Sequence, residues 1–393
     1  MSKGYLGFVL HAHLPFVRHP EYEHFLEEDW LFEAISETYL PLLRMFNRLL
    51  ADKIKFKLTF SISPTLSEML TDDLLMSRYV RYVENRIELG EKELERTKDN
   101  PQIQKTVKMY LDLFRNNLND FVQVYRSNIL WGFRNLEKEG VLDIITTAST
   151  HSFLPVFEEH PQAIEAQIQN AVISHGRNFG TKPKGFWLPE CGYFPGLENH
   201  LKANNIDYFF VAAHGILLSD EKPLNGVYSP LELPNGMSAF GQDFSLTEAV
   251  WSSDTGYPGD PVYREFYRDI GHDLPLDYIR PYIHEPDVRV NTGYKYCAVT
   301  GDTDKKVLYD SEKAMKKLDE HADNFIQRYL DQVSRLEGRL EKDPFIVTSY
   351  DAELFGHWWF EGISWMEAVI RKISERTNDL EMITAADYLK KYP

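Results

Sequence analysis

Cysteine is nearly missing from this sequence: two residues, Cys191 and Cys297, among 393. That excludes a disulfide scaffold and makes a reducing compartment the simpler setting. Positive charge is also short. Forty-three Lys and Arg stand against 60 Asp and Glu, a net charge of −17. Such a surface repels phosphate backbones and anionic lipid, so neither nucleic acid nor a membrane is an expected partner. It suits a neutral or cationic one. Long apolar runs are lacking as well. The longest, Asp207 to Leu218, is broken by His214 and Gly215 and falls well below the ~18 residues a membrane span needs. The opening residues carry one Lys and an apolar run only from Tyr5 to Leu10, with no small-residue cleavage site. No export signal is read there, and the cytoplasm is the expected location. Internal repeats and low-complexity tracts are absent.

What remains is a globular composition, 43% hydrophobic and 26% charged, with length enough for a deep core. Short apolar runs at Tyr5–Leu10, Lys57–Ile62, Leu142–Thr147, Gly185–Leu188, Tyr208–Ala213 and Phe345–Ser349 read as strands. Most lack apolar/polar alternation, as expected where both faces are covered. Between them lie helical stripes. One runs from Val107 to Leu136; another spans about 310–340, with Gly338 expected to be tolerated inside it. Strands alternating with helices imply an α/β fold with a parallel sheet or barrel. The turn-rich stretch 194–250, with Asn225-Gly226 and Pro234-Asn235-Gly236, reads as a small inserted subdomain.

The chemistry lies just after the strands. The first runs into His11 and His13, the third into His151, the fourth into Glu190, the fifth into His214 and the last into Asp351. In a parallel barrel all these ends open on one rim, so the groups converge on one pocket. His11 and His13, two apart, share a face; they serve as hydroxyl ligands, metal ligands or structural histidines. Glu190, between Trp187 and Tyr193, has the setting of a catalytic carboxylate, against the alternative of a helix N-terminal acid. From Asp351 to Glu361 come three acids, His357 and the pair Trp358 and Trp359. If 354–361 is helical, His357 and Glu361 share a face, and at least one of the two tryptophans lines a cleft. Trp251, Asp254 and Arg264 belong to a third segment of similar mixture. Arg264 grips substrate there or pairs with nearby acids. Four of the seven tryptophans lie in or beside these motifs, which suits a sugar site, since flat rings cover the C–H face of a pyranose. Two carboxylates on strand ends suggest glycoside chemistry.

Together these motifs resemble glycoside hydrolase family 57, over nearly the whole chain. His11 to Pro15, Thr150-His151 through Pro155, Trp187 to Glu190 and Tyr350 to Glu353 are similar to four of its sequence regions. The stretches 16–43 and 251–275 are most like the 1,4-α-glucan branching enzymes within it. The resemblance implies an incomplete (β/α)7 barrel and retaining chemistry on α-1,4-glucan. Glu190 would be the nucleophile and Asp351 the acid/base, its pKa raised by burial or by the Glu190 charge. His13, His151 and Trp251 would help to hold the sugar, and no metal or organic cofactor is implied. The branching enzymes usually continue into a further helical domain; this sequence ends about where that domain would begin, so either the domain is absent or the sequence is a fragment. Cys297-Ala298 stands where bulkier contacts are expected. The competing readings are an α-amylase or 4-α-glucanotransferase of the same family, a metal-dependent deacetylase using His11, His13 and an Asp, and a non-catalytic glucan binder.

Overall fold

The computed structural model describes residues 3–220, 222–252, 255–283, 288–376 and 379–392. Among the described residues nine strands form one sheet. They are β1 (Gly4–Ala12), β2 (Leu58–Ile62), β3 (Leu142–Thr147), β4 (Gly185–Trp187), β5 (Tyr208–Val211), β6 (Leu231–Glu232), β7 (Ser238–Gly241), β8 (Phe345–Asp351) and β9 (Leu380–Met382). The order is β6-β7-β5-β4-β3-β2-β1-β8, with β9 paired to the opening residues of β1. From β7 to β8 every neighbouring pair is parallel. The two ends of that seven-strand row meet through one parallel bridge, Gln242 to Val347, and the Asp243 N–H donates to the Val347 carbonyl at 2.7 Å. The result is an incomplete (β/α)7 barrel, drawn shut at a single point.

Both faces of the strands are covered, which is why the sequence shows apolar runs rather than alternation. Tyr5, Val9, Ile145, Trp187, Phe210, Phe240 and Val347 point inward and form the barrel interior, joined by Tyr388 of the last helix. Their neighbours Leu6, Phe8, Leu10, Phe60 and Ile144 point outward into the helical layer. Phe186, Phe209 and Val211 do the same on the other side. Two inward glycines make room for rings. A Cβ on Gly7 would lie 2.4 Å from the Phe345 ring, and one on Gly185 would lie 2.4 Å from the Tyr208 ring. Among the described residues no helix is long and apolar enough to cross a membrane.

All six strands expected from the sequence form, with ends shifted by a residue or two. Four other expectations are corrected. Residues 194–250 do not stand apart as an inserted subdomain, because they supply β5 and β7 to the sheet. The helical stripe 107–136 is two helices, Pro101–Asn119 and Leu130–Lys138. A widened π turn, Asp120–Val124, lies between them, followed by Arg126 and Ser127 at φ 50° and 62°, which a right-handed helix cannot pass through. The late helix stops at Leu336, and Gly338 lies beyond it at φ 72°. Residues 354–361 are not helical. A short 3-10 turn, Ala352–Leu354, leads into tight turns, and the next helix is Gly362–Ser374. Gly356, at φ 96°, sits so close to the Glu37 carbonyl that a Cβ would come within 1.9 Å.

Replacing Gly7 by Ala forces a methyl group against Phe345 on the opposing strand. Denaturant unfolding should register a loss of about 1–3 kcal/mol, the usual cost of overpacking a filled interior. An unchanged midpoint would mean that the barrel floor yields easily.

Candidate active site

The inward face of β1 ends at His11, which lies in register with Ser61 of β2 and Asp351 of β8. Hydrogen bonding follows that register. His11 Nδ1 shares a hydrogen bond with Ser61 Oγ at 3.0 Å, and His11 Nε2 shares one with His151 Nε2 at 2.9 Å. His13 Nδ1 meets Ser63 Oγ at 2.9 Å, and the same hydroxyl oxygen accepts from the Leu66 N–H to cap the helix Pro64–Met69. The rings stack: His13 on His151 at 4.0 Å, His11 on His151 at 4.9 Å, and His11 on Trp187 at 5.1 Å.

Burial, reinforced by the neighbouring rings, holds His11 well below its ordinary value and brings His13 down to about 3. Burial also lowers His151, against the pull of the Glu190 charge. The trio is therefore neutral at pH 7, and of the facing Nε2 atoms of His11 and His151 only one carries a hydrogen. Neutral imidazoles suit hydroxyl groups, since each ring both donates and accepts. Their planes are stacked rather than splayed around a common point. Among the described residues no His, Cys, Asp and Glu group of three or more is arranged to hold an ion.

Glu190 follows β4 in the turn Pro189–Cys191, exposed at the rim. Its backbone is left-handed, at φ 53° and ψ 24°, and so is that of Cys191 at φ 55°. The Gln242 side-chain amide donates to Cys191 Sγ at 3.0 Å. Asp351, the last residue of β8, opens to solvent on one side and is crowded on the others. That crowding, then the Glu190 charge, pushes its pKa up to about 6. The two carboxylates thus feel each other across the rim, as Glu190 also feels His151.

Several expected substrate residues have other duties. Trp359 is 1% exposed and packs on Tyr263, Phe355 and Trp365, so it belongs to the core. Trp358 is its outward partner, 48% exposed and stacked on Phe266 at 4.3 Å. Arg264 is buried: its guanidinium donates to the His357 carbonyl at 2.9 Å and lies over the Phe360 ring at 5.0 Å, while its backbone N–H donates to Glu361 at 3.1 Å. It reaches no substrate from there. His357 Nδ1 donates to the Glu37 carboxylate at 2.6 Å and is a brace. Trp187 is buried with one face taken by His11, so it supports that ring. His214 stands exposed at the rim in the short helix Ala213–Leu217, and Trp251 is exposed at the end of the helix Phe244–Trp251. Asp254 lies outside the described residues. Around Cys297-Ala298 the contacts are structural: backbone bridges tie Cys297 to Leu308 and Ala298 to Arg264.

Three residues at the site were not singled out from the sequence. Glu353 is buried. Burial pushes its pKa up to about 8, although the Tyr39 hydroxyl donates to it and the His13 backbone N–H bonds it as well. It ties the end of β8 to the end of β1. Glu37 and Tyr39 lie in a π turn, Ile35–Tyr39, between the helices Leu26–Ala34 and Leu40–Ala51. The spacing of Asp351 and Glu353 was the available signal for the first; nothing in the sequence marks a π turn.

Comparison with known proteins places the chain in a family. Residues 7–393 match the family model described as glycosyl hydrolase family 57. A 1,4-alpha-glucan branching enzyme of Thermococcus kodakarensis is 33% identical over 99% of this chain, which spans 58% of that relative's length. The crystal structure of the novel alpha-amylase AmyC from Thermotoga maritima is 45% identical, with a TM-score of 0.95 over 100% of this chain and 75% of that one. The GH57-type branching enzyme of Pyrococcus horikoshii gives 0.86 at 33% identity, over 99% of this chain and 70% of its own. With its barrel and its full-length family match, the chain belongs to glycosyl hydrolase family 57.

Proposed function

We propose that this protein is a retaining enzyme acting on α-1,4-glucan, and that its reaction is branching, the transfer of a glucan segment to a 6-hydroxyl. One arrangement carries the chemistry: Glu190 just after β4 and Asp351 at the end of β8 stand on one rim, near enough that the Glu190 charge helps burial to push Asp351 up to about 6. Two carboxylates in one site with one of them inclined to hold a proton is the arrangement that acid/base chemistry at a glycosidic bond requires. The Glu190 carboxylate attacks the anomeric carbon. Asp351 gives its proton to the departing 4-oxygen, and a glycosyl-enzyme ester forms at Glu190. The proton of the incoming hydroxyl then passes to the Asp351 carboxylate, the new glycosidic bond forms, and Glu190 leaves as carboxylate. Two inversions retain the α configuration. The neutral imidazoles of His13 and His151 bind sugar hydroxyls without placing a positive charge beside the nucleophile, while His11, with both ring nitrogens bonded to Ser61 and His151, holds His151 in place, and no metal or organic cofactor enters the scheme.

The branching enzymes at 33% identity support the 6-hydroxyl as acceptor. The alpha-amylase at 45% identity favours a second reading in which water is the acceptor and the product is hydrolysed glucan. Incubation with amylose separates the two. Branching yields α-1,6 anomeric signals in the proton NMR spectrum with few new reducing ends; hydrolysis yields reducing ends alone. In either reaction Glu190→Gln should lower turnover about a thousandfold or more. Retained turnover in that variant would remove Glu190 from the role of nucleophile.

The Asp351 carboxyl should titrate near pH 6 by carbon NMR in the free protein. Because it is the protonated form that donates, kcat/KM should fall as pH rises through that value. Neutralising the neighbour in Glu190→Gln should lower the midpoint while leaving it above 3.8, since burial, the larger cause, persists. A midpoint indifferent to that substitution would show that the two groups are not electrically coupled.

A further inference from the structure

Beside the histidines a groove of about 590 Å³ opens between the loops that follow β1, β2 and β3 and the helix Pro161–Phe179. We infer that this groove holds a stretch of neutral glucan chain several sugar units away from the cleaved bond and so sets the chain length the enzyme prefers. The inference rests on the α-glucan reading above and adds a substrate subsite to it.

Three features argue for a sugar chain. The first is continuity. His13 lines the groove and is stacked on His151, so a chain leaving the neutral histidines enters the groove without crossing open surface. The second is the mixture of its walls. Phe16 and Ile173 offer apolar faces and are 61% and 67% exposed. Left in water, such side chains gain by covering the C–H face of a pyranose. Arg177 and Glu68 form an ion pair on the same wall, and Ser174 Oγ donates to Glu68 at 3.1 Å. Because an exposed pair of this kind contributes little to stability, its donors and acceptors are free to meet hydroxyl groups at small cost. The third is charge. One Arg and one Glu leave the groove without a net sign, and the chain as a whole carries −17. An anionic ligand has no matching field there, whereas an uncharged polyol needs none.

The probes are maltoheptaose and maltose, titrated calorimetrically into the Glu190→Gln protein, which does not consume them. A long oligosaccharide spans the rim and the groove; a disaccharide fills only the rim. Phe16→Ala in that background should weaken maltoheptaose binding about tenfold, the scale of returning one covered aromatic face to water, and change maltose binding less than about twofold. Ile173→Asp is the second variant, with the same expectation. Both positions are largely exposed, so the thermal midpoint should stay with the parent. Equal maltoheptaose affinity in parent and both variants would overturn the groove assignment and leave the reaction untouched. Equal losses for both sugars would also overturn it, by placing the effect at the rim. If the parent neither binds maltoheptaose nor, as wild type, consumes amylose, the α-glucan reading itself fails and the groove assignment with it.

Discussion

The site depends on how the loop after β8 is clamped to the widened turn Ile35–Tyr39. Three successive side chains of that turn reach the loop: Glu37 accepts from His357, the Thr38 hydroxyl donates to the Phe355 carbonyl at 2.9 Å, and the Tyr39 hydroxyl donates to Glu353. The Glu37 carbonyl closes against Gly356, where only a glycine fits. A regular α-helix turns its side chains 100° per residue, so three in a row seldom serve one neighbour. The loop instead wraps around a turn that carries one residue more than an α-helix would. Asp351 is the residue at which this loop leaves β8, so the position of its carboxyl follows from the clamp. A π turn in mid-helix commonly marks a functional position, and here its geometric use is visible.

Electrostatics around that clamp is arranged by burial more than by pairing. Asp351 and Glu353 are both pushed upward, first by burial, and Glu33 rises for the same reason together with the Glu37 charge. Glu37 moves the other way: burial opposes it, but the His357 hydrogen bond and the charges of Lys295 and Arg264 prevail. Two carboxylates one helical turn apart are thereby driven in opposite directions, one towards the acid and one towards the carboxylate. Lys295, lowered by burial, lies over the Phe266 ring at 4.2 Å, and that ring also stacks on Trp358. The buried charges thus lie beneath the exposed tryptophan, and His357 packs edge-on against both Phe266 and Trp358.

The strands were legible in the sequence because each is buried on both faces, and an unbroken apolar run has few other uses. The rim was legible because His11, His151, Glu190 and Asp351 each come within a few residues of such a run. β7 was not, since Ser238, Ala239 and Gly241 leave only Phe240 to suggest a strand. Nor was the break at Arg126 and Ser127, where neither Pro nor Gly announces it. The most instructive case concerns direction. Trp358 and Trp359 are alike in type and adjacent in sequence, yet one lines the surface and the other fills the core. Residue type indicates what a side chain can do; the turn at Gly356, set by a contact with a helix more than three hundred residues earlier, decides which way each one faces.

Three non-glycine residues at the rim adopt left-handed backbone: His151, Glu190 and Cys191. Glycine would relieve the strain at each, but at the first two it would delete the imidazole and the carboxyl that the rim presents. Such conformations persist only where the surroundings hold them. For the turn of Glu190 part of that hold comes from Gln242. Its side chain donates to Cys191, next to Glu190, and its backbone forms the bridge to Val347 that closes the barrel, four residues before Asp351 on the same strand. One residue therefore touches both the turn that carries one carboxylate and the strand that carries the other. The contact that shuts the barrel thus also links the two segments that carry Glu190 and Asp351.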